Sequence, residues 1–411
     1  MISARKFSWT WLFLLLAASC ASPAVAADSP RLPKVVAGQS EMMIILPTGS
    51  VLVFAHENKS GQLGQGTIGV PEFSDDGLLL PGVTDAVDGA AGGGSFLLLR
   101  ADGTVLAWGR NNLGQLGLGI VPSRWEDPKP VPRPTQVPGL AHVRQLAMPE
   151  EGGYAMALLD DGTVLTWGAA FSDGFGLGMA IPKTPESRDG TEIWRPQAIP
   201  GLSGVKAISA GGGFALALLE NGTIKAWGRN KNGEIGDEVI SGSTVPVTVP
   251  GINSAVAISA GLDYALAILR DGTVRVWGSG AFEGIHFASS RSPSIHTDTD
   301  AHWTAKPVAI PGLRNAVAIA TGTSALALLP DGTVRAWGWN GGASMGLGNQ
   351  LEYPKGLQMP HVSSVAAITT GYNRSYFVLR DGSILAAGSH PKSGLFRTPT
   401  RIFPKSAAKN P

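Results

Sequence analysis

A single cysteine, Cys20, stands in 411 residues. No disulfide can form within the chain, so its stability has to come from packing and sheet closure. Charge is scarce as well: Asp, Glu, Lys and Arg together make up 15%, and the formal net charge is +1. Beyond the N-terminus there is no block of Lys or Arg, which excludes the electrostatic footprint of a nucleic-acid binder. No amphipathic run is long enough for a helix, and the seven scattered histidines assemble into no Ser/His/Asp or Cys/His set. The longest apolar run, "WTWLFLLLAA" from Trp9 to Ala18, is too short to span a bilayer comfortably. What is abundant is glycine (55 residues), proline (29) and apolar side chains (44%). That composition suits many short strands joined by tight turns, with ample apolar surface to offset chain entropy.

Arg5 and Lys6 precede the apolar run, and the small residues "AVAA" from Ala24 to Ala27 follow it. This is the layout of a cleavable export signal over residues 1–27. A second reading stands beside it: Cys20 in "LAASC" resembles the lipobox of bacterial lipoproteins, with Ala17 where Leu is usual, and would carry a lipid anchor. Under either reading the protein is expected to be exported, periplasmic or extracellular. The folded part is expected over 28–404, with a short polar tail at 405–411.

The folded part is repetitive. "RADGTVLAWG" ends at Gly109, and near copies end at Gly168, Gly228, Gly278 and Gly338. Weaker copies run from Leu46 to Ala55, with Phe54 in the Trp position, and from Leu379 to Gly388, with Ala387 there. The turn glycines Gly49, Gly103, Gly162, Gly222, Gly272, Gly332 and Gly382 mark seven units. An Asp-Gly turn between two runs of Val, Ile, Leu and Ala predicts a hairpin, because glycine accepts the positive φ that such turns require. Four short strands fit each unit. Seven such sheets bury their faces only by closing into a ring, which predicts an all-β fold: a seven-bladed β-propeller of four-stranded antiparallel blades. The ring is expected to be closed by the N- and C-terminal strands, with "TPTRIFP" from Thr398 to Pro404 completing a sheet shared with the segment near Leu32 to Gly38.

The full pattern, best seen from Ala91 to Gly119 and ending in "WGRNNLGQLGLG", resembles the repeat of the regulator of chromosome condensation family over roughly residues 32–404. That resemblance implies a rigid interaction scaffold. Its secreted bacterial members include inhibitors that cap the active site of a β-lactamase. Its nuclear members act as guanine-nucleotide exchange factors on a small GTPase, but no exchange residues can be matched here and an export signal leads away from such a partner. Where the family often has His in "GxxHxxAL", this chain has Tyr154, Phe214 and Tyr264, so no polar role is carried across.

The glycine-rich tails, such as "SGQLGQG" from Ser60 to Gly66, lack the following helix and the "GK[ST]" of a phosphate loop and are read as backbone turns. Trp108, Trp167, Trp227, Trp277 and Trp337, one per blade, are expected to pack between blades. Glu150 with Glu151, and Asp160 with Asp161, are expected to be solvated at turns. In "HTDTDAHW", His296, Asp298, Asp300 and His302 alternate along an extended segment; as metal ligands they are the less favoured reading, against a solvated polar loop. The long insertions beginning at Ile120, Met179 and Ser279 should gather on one face, since equivalent connections of successive blades open on the same side. Each carries one tryptophan, Trp125, Trp194 or Trp303, and Arg124 and Arg195 adjoin two of them. Trp and Arg are frequent interface anchors, so these five residues are the candidate partner-binding site. The expectation is a monomeric, non-enzymatic scaffold without a cofactor that binds a protein. Carbohydrate or cell-wall binding by the same indoles is the alternative, and a metal-assisted enzyme the less favoured one.

Overall fold

The computed structural model describes residues 31–69, 77–121, 129–169, 177–179, 192–238, 241–279, 303–348, 352–390 and 394–404. Seven four-stranded antiparallel sheets occupy 34–79, 86–136, 143–198, 205–248, 255–314, 318–358 and 365–403, numbered here as blades 1 to 7. They form the ring of a β-propeller. Among the described residues the sole helical element is a 3-10 turn, Gly341–Ala343.

Each blade follows from its repeat. In blade 4 the strands Phe214–Leu219 and Ile224–Arg229 pair around the Asn-Gly turn, with Leu218 opposite Ile224. All seven turn glycines hold φ between +78° and +85°, where a side chain would be strained. The residue before each of the last six closes the hairpin. Asp102, for example, accepts from Thr104 N at 2.9 Å and from Thr104 Oγ1 at 2.6 Å, and Asp161, Asn221, Asp271, Asp331 and Asp381 also accept from the residue two positions on. The second strand of each blade is sandwiched between neighbouring sheets, so its apolar residues are continuous, as in buried Ala265, Leu266, Ala267 and Ile268. Outer strands such as Gly394–Phe403 are mostly exposed.

Ring closure differs from the expectation. Blade 1 carries its own inner strand, Lys34–Ala37, and outer strand, Leu78–Leu79, while Gly394–Phe403 pairs with Ile384–His390 of its own blade. Both terminal units are complete, so neither terminus has a vacant ladder to fill. They close the ring by packing faces: Val35, Met42, Ile44 and Phe54 of blade 1 form one buried cluster with Tyr376, Val378, Ile384 and Ala386 of blade 7.

Candidate functional site

The third strand of each blade ends beside the start of the second, as in Gly168 opposite Tyr154. The turn from first to second strand, the glycine-rich tail and both ends of every insertion therefore share one face of the disc, and the Asp-Gly hairpins occupy the other. The three long insertions are rooted at Gly109 opposite Val131, Gly168 opposite Ile193, and Gly278 opposite Thr304. Their roots are equivalent, as the repeat predicts.

The tails on this face act as staples between blades. Asn58, Asn111, Asn230 and Asn340, just after the Trp-Gly position, accept through Oδ1 from the backbone N–H five residues on. The tightened loop then presents a carbonyl to the next blade's tryptophan: Trp108 Nε1 donates to Gln62 O, Trp167 Nε1 to Gln115 O, and Trp277 Nε1 to Glu234 O, at 2.8–2.9 Å. The five repeated tryptophans are buried between blades. The hydrogen bond to the preceding tail went unread in the sequence, although the joint recurrence of "WG", Asn and the tail glycines was its signal.

The candidate anchors separate. Trp194 is 5% exposed and lies under the blade 2 tail, where a Cβ on Gly114 would fall 2.9 Å from its ring. It fastens the end of its insertion to blade 2. Arg195 is exposed, with its guanidinium over Gly119. Trp303 begins the strand Trp303–Arg314 opposite Ser279, the position that Glu192 takes opposite Ala169, so Trp194 and Trp303 do not share a slot. Arg124, Trp125, His296, Asp298, Asp300 and His302 lie outside the described residues, as do residues 1–30, with Cys20, and 405–411. Among the described residues no three His, Cys, Asp or Glu side chains converge as metal ligands. The same face exposes apolar side chains that the sequence did not single out: Ile68 (53%), Ile120 (45%) and Tyr372 (40%).

The turn of blade 3 is two residues longer than that of blade 4: Ala147 pairs with Met156, whereas Ser209 pairs with Leu216. Blade 2 makes room with glycine, since a Cβ on Gly92 would fall 2.0 Å from Pro149 O, and Gly93 N donates to Glu150 O at 3.0 Å. The longer turn carries Glu150 towards the ring axis, and a Cβ on Gly322 of blade 6 would fall 2.6 Å from its Oε1. The expectation that Glu150 is solvated is corrected here. The residue keeps some exposure at the turn, but both carboxylate oxygens are buried and without a hydrogen-bond partner. Burial, reinforced by Glu151 and opposed by Arg374, pushes its pKa up to about 8. Asp160 and Asp161 are exposed as expected.

Glu150 borders an axial cavity of about 150 Å³ lined by the inner strands, with Ser209, Thr321, Thr369 and Thr370 among small apolar residues. Beside it Glu41 is buried, accepts from Ser40 N at 3.0 Å and Gly94 N at 3.1 Å, and is also raised, chiefly by burial. Arg374, 7% exposed, is near both carboxylates, yet its Nε and Nη1 have no partner. Further out, Arg229 is shared by Glu234, at 3.0 Å, and Asp263. Glu151 stands beside that pair and is raised by burial and by Asp263. No polar role of the family's His carries across to Tyr154, but the tyrosine has one of its own: its hydroxyl donates to Phe214 O of blade 4 at 2.6 Å.

Comparison with known proteins agrees with this architecture. The "Regulator of chromosome condensation (RCC1) repeat" matches residues 86–115, 205–234 and 255–283 in one form and 102–148 in another. Protein pim1 of Schizosaccharomyces pombe is 31% identical over 155 residues, covering 36% of this chain and 28% of that protein. The ultraviolet-B receptor UVR8 of Arabidopsis thaliana is 24% identical over 322 residues, covering 77% of this chain and 56% of the receptor. The chain thus spans about half or less of these relatives' own length. Among solved structures, Prp20p of Saccharomyces cerevisiae, described with its binding to Gsp1p and histones, superposes with a TM-score of 0.69 at 19% identity, covering 93% of this chain and 87% of that one. At that identity the likeness concerns the fold. Sequence match, blade count and backbone agree: the repeat of the regulator of chromosome condensation family recurs at the matched residues, and the chain folds as a seven-bladed propeller.

Proposed function

We propose that the protein is an exported, non-enzymatic scaffold that binds a protein partner through the face on which its insertions are rooted. The observation that carries this reading is the composition of that face: exposed Ile68, Ile120 and Tyr372 accompany exposed Arg195 on a support fixed by the tryptophan staples. Apolar and guanidinium groups on a rigid base bind with little loss of freedom. A relative described as a receptor, and a propeller described with Gsp1p and histones, support a binding role for this architecture without naming this chain's partner.

The reading predicts that the mature protein captures a protein from an envelope extract, and that an Ile120→Asp/Arg195→Glu variant stays folded and loses it. Trp194 is unsuitable as a probe because its removal would loosen the insertion root, so a Trp125→Ala/Trp303→Ala pair tests the insertions themselves. Retention on insoluble polysaccharide, abolished by that pair while protein capture is absent, would favour the carbohydrate alternative. Unchanged capture by both variants would place the partner elsewhere.

A further inference from the structure

From the axial mouth on the insertion face we infer a binding site for one primary alkylammonium group, with Glu150 as its counter-ion and the threonine hydroxyls of the inner strands as further acceptors. The inference rests on geometry distinct from the apolar and arginine surface considered above, and stands whether or not that surface binds a protein.

The charges around the mouth do not balance. From blade 1 comes Glu41, from blade 3 Glu150 and Glu151, from blade 4 Arg229 and Glu234, from blade 5 Asp263 and the Tyr264 hydroxyl, and from blade 7 Arg374 and the Tyr376 hydroxyl; Lys34 of blade 1 and Asp88 of blade 2, which line the same cavity, pair with each other at 2.6 Å. Arg229 is occupied by Glu234 and Asp263. That leaves Arg374 to serve both Glu41 and Glu150. Glu41 also receives two backbone N–H groups, whereas Glu150 receives no hydrogen bond on either oxygen. The carboxyl left without a partner is thus Glu150, at the wall of the cavity, and burial keeps it protonated until a cation completes it. A buried carboxylate without a donor is costly, and one cation with several N–H groups would complete it.

The shape favours a slender ammonium. The cavity of about 150 Å³ has small residues and hydroxyls from several blades around it, with Thr321 and Thr370 on the inner strands of blades 6 and 7. A hydroxyl accepts as readily as it donates, and Thr370 Oγ1 lies beside the carboxylate, since a Cβ on Gly322 would fall 2.6 Å from Glu150 Oε1 and 3.2 Å from that hydroxyl, so an ammonium can find both together. A divalent metal fits poorly, because the Arg374 guanidinium stands near the same carboxylates and, among the described residues, no three His, Cys, Asp or Glu side chains converge as ligands. The group can arrive on a free small amine or as a lysine side chain.

The test titrates the full mature chain with n-butylammonium chloride and with Nα-acetyl-lysine N-methylamide, using tetramethylammonium and potassium chloride at equal ionic strength as controls. Calorimetry at pH 7 in two buffers of different ionisation heat measures proton release. The expected result is one saturable site for a primary ammonium, release of nearly one proton at pH 7 and none at pH 9. Affinity should rise about tenfold from pH 6 to pH 7, because the carboxyl must ionise to bind while the amine stays protonated. Binding of both probes assigns the site to a lysine side chain, and binding of butylammonium alone to a free amine. Glu150→Gln should weaken binding at least tenfold and abolish proton release while unfolding as cooperatively as the parent; Glu151→Gln should bind normally. Equal binding by Glu150→Gln, saturable binding of the controls, or no binding at pH 9 would overturn the inference.

Discussion

Replacing Trp167 with phenylalanine tests whether the tails bind the ring together through the indole N–H or merely sit over an aromatic plug. Trp167 has no solvent exposure and donates to Gln115 O at 2.9 Å; Leu116, next in that tail, is equally buried. Phenylalanine keeps most of the ring but leaves a void of roughly 40 Å³, worth about 1 kcal/mol at the usual cost per unit of cavity. The orphaned carbonyl of Gln115, enclosed under blade 3, adds about 1–3 kcal/mol. The expected loss is therefore about 2–4 kcal/mol, close to the roughly 3–5 kcal/mol of Trp167→Ala. Denaturant unfolding gives the number, provided the slope against denaturant is unchanged. Hydrogen exchange should report faster opening of residues 111–117 in the phenylalanine variant. A cost at or below about 1 kcal/mol with unchanged exchange of that loop would show that ring volume alone matters, and the staple argument would fall.

Three further outcomes follow from the charges. The carboxylates of Asp102, Asp161, Asp271, Asp331 and Asp381 are held below the usual range, most of them chiefly by the hydroxyl two residues on, and Asp161 chiefly by the Thr163 N–H. A folded-state pKa that is depressed gives stability above the unfolded value and loses it as pH falls, so acid unfolding should set in below about pH 4 and be blunted by Asp→Asn at several of these turns. Glu150 acts in the opposite sense: raised to about 8, it stays protonated in the fold between about pH 4.5 and 8, where the unfolded chain ionises it. Its contribution is present at low pH and is lost as pH rises to about 8, with a slope of up to ~1.4 kcal/mol per pH unit that Glu150→Gln should remove in a stability-versus-pH series. Arg229→Met should cost about 2–3 kcal/mol by stranding buried Glu234, and Glu234→Gln in the same chain should recover most of it; a double-mutant cycle by denaturant unfolding decides.

The fold was legible because the signals were local and repeated. Each hairpin is written in about ten residues, in most blades from the apolar strand through Asp-Gly to Trp-Gly; all seven turn at the same φ, and the last six share the same Asx bond. The fate of the termini was not legible, because it depends on which strand finds an open ladder. Leu78 and Leu79 alone suffice as the outer strand of blade 1, a two-residue element that no periodicity reveals, and with that ladder occupied the C-terminal strand stays in blade 7.

The candidate site was legible only as a location. Equivalent insertion points guarantee a common face, but whether a tryptophan there is free or fastened depends on the residue that meets it from the neighbouring blade. Gly114 decides this for Trp194: its missing Cβ is the space the indole fills, and that glycine lies 80 residues earlier in the chain. The burial of Glu150 has the same origin. Its turn reads as polar and surface-bound until Gly92 and Gly93 of the previous blade let it fold inward and Gly322, across the ring, admits its carboxylate. In a closed ring, side chains from blades distant in sequence meet at the axis, so one strand's alternation predicts its own two faces and is silent about the mouth. The departures from the repeat, an extra pair of residues in one turn and an acidic residue at its tip, are the marks in the sequence that point there.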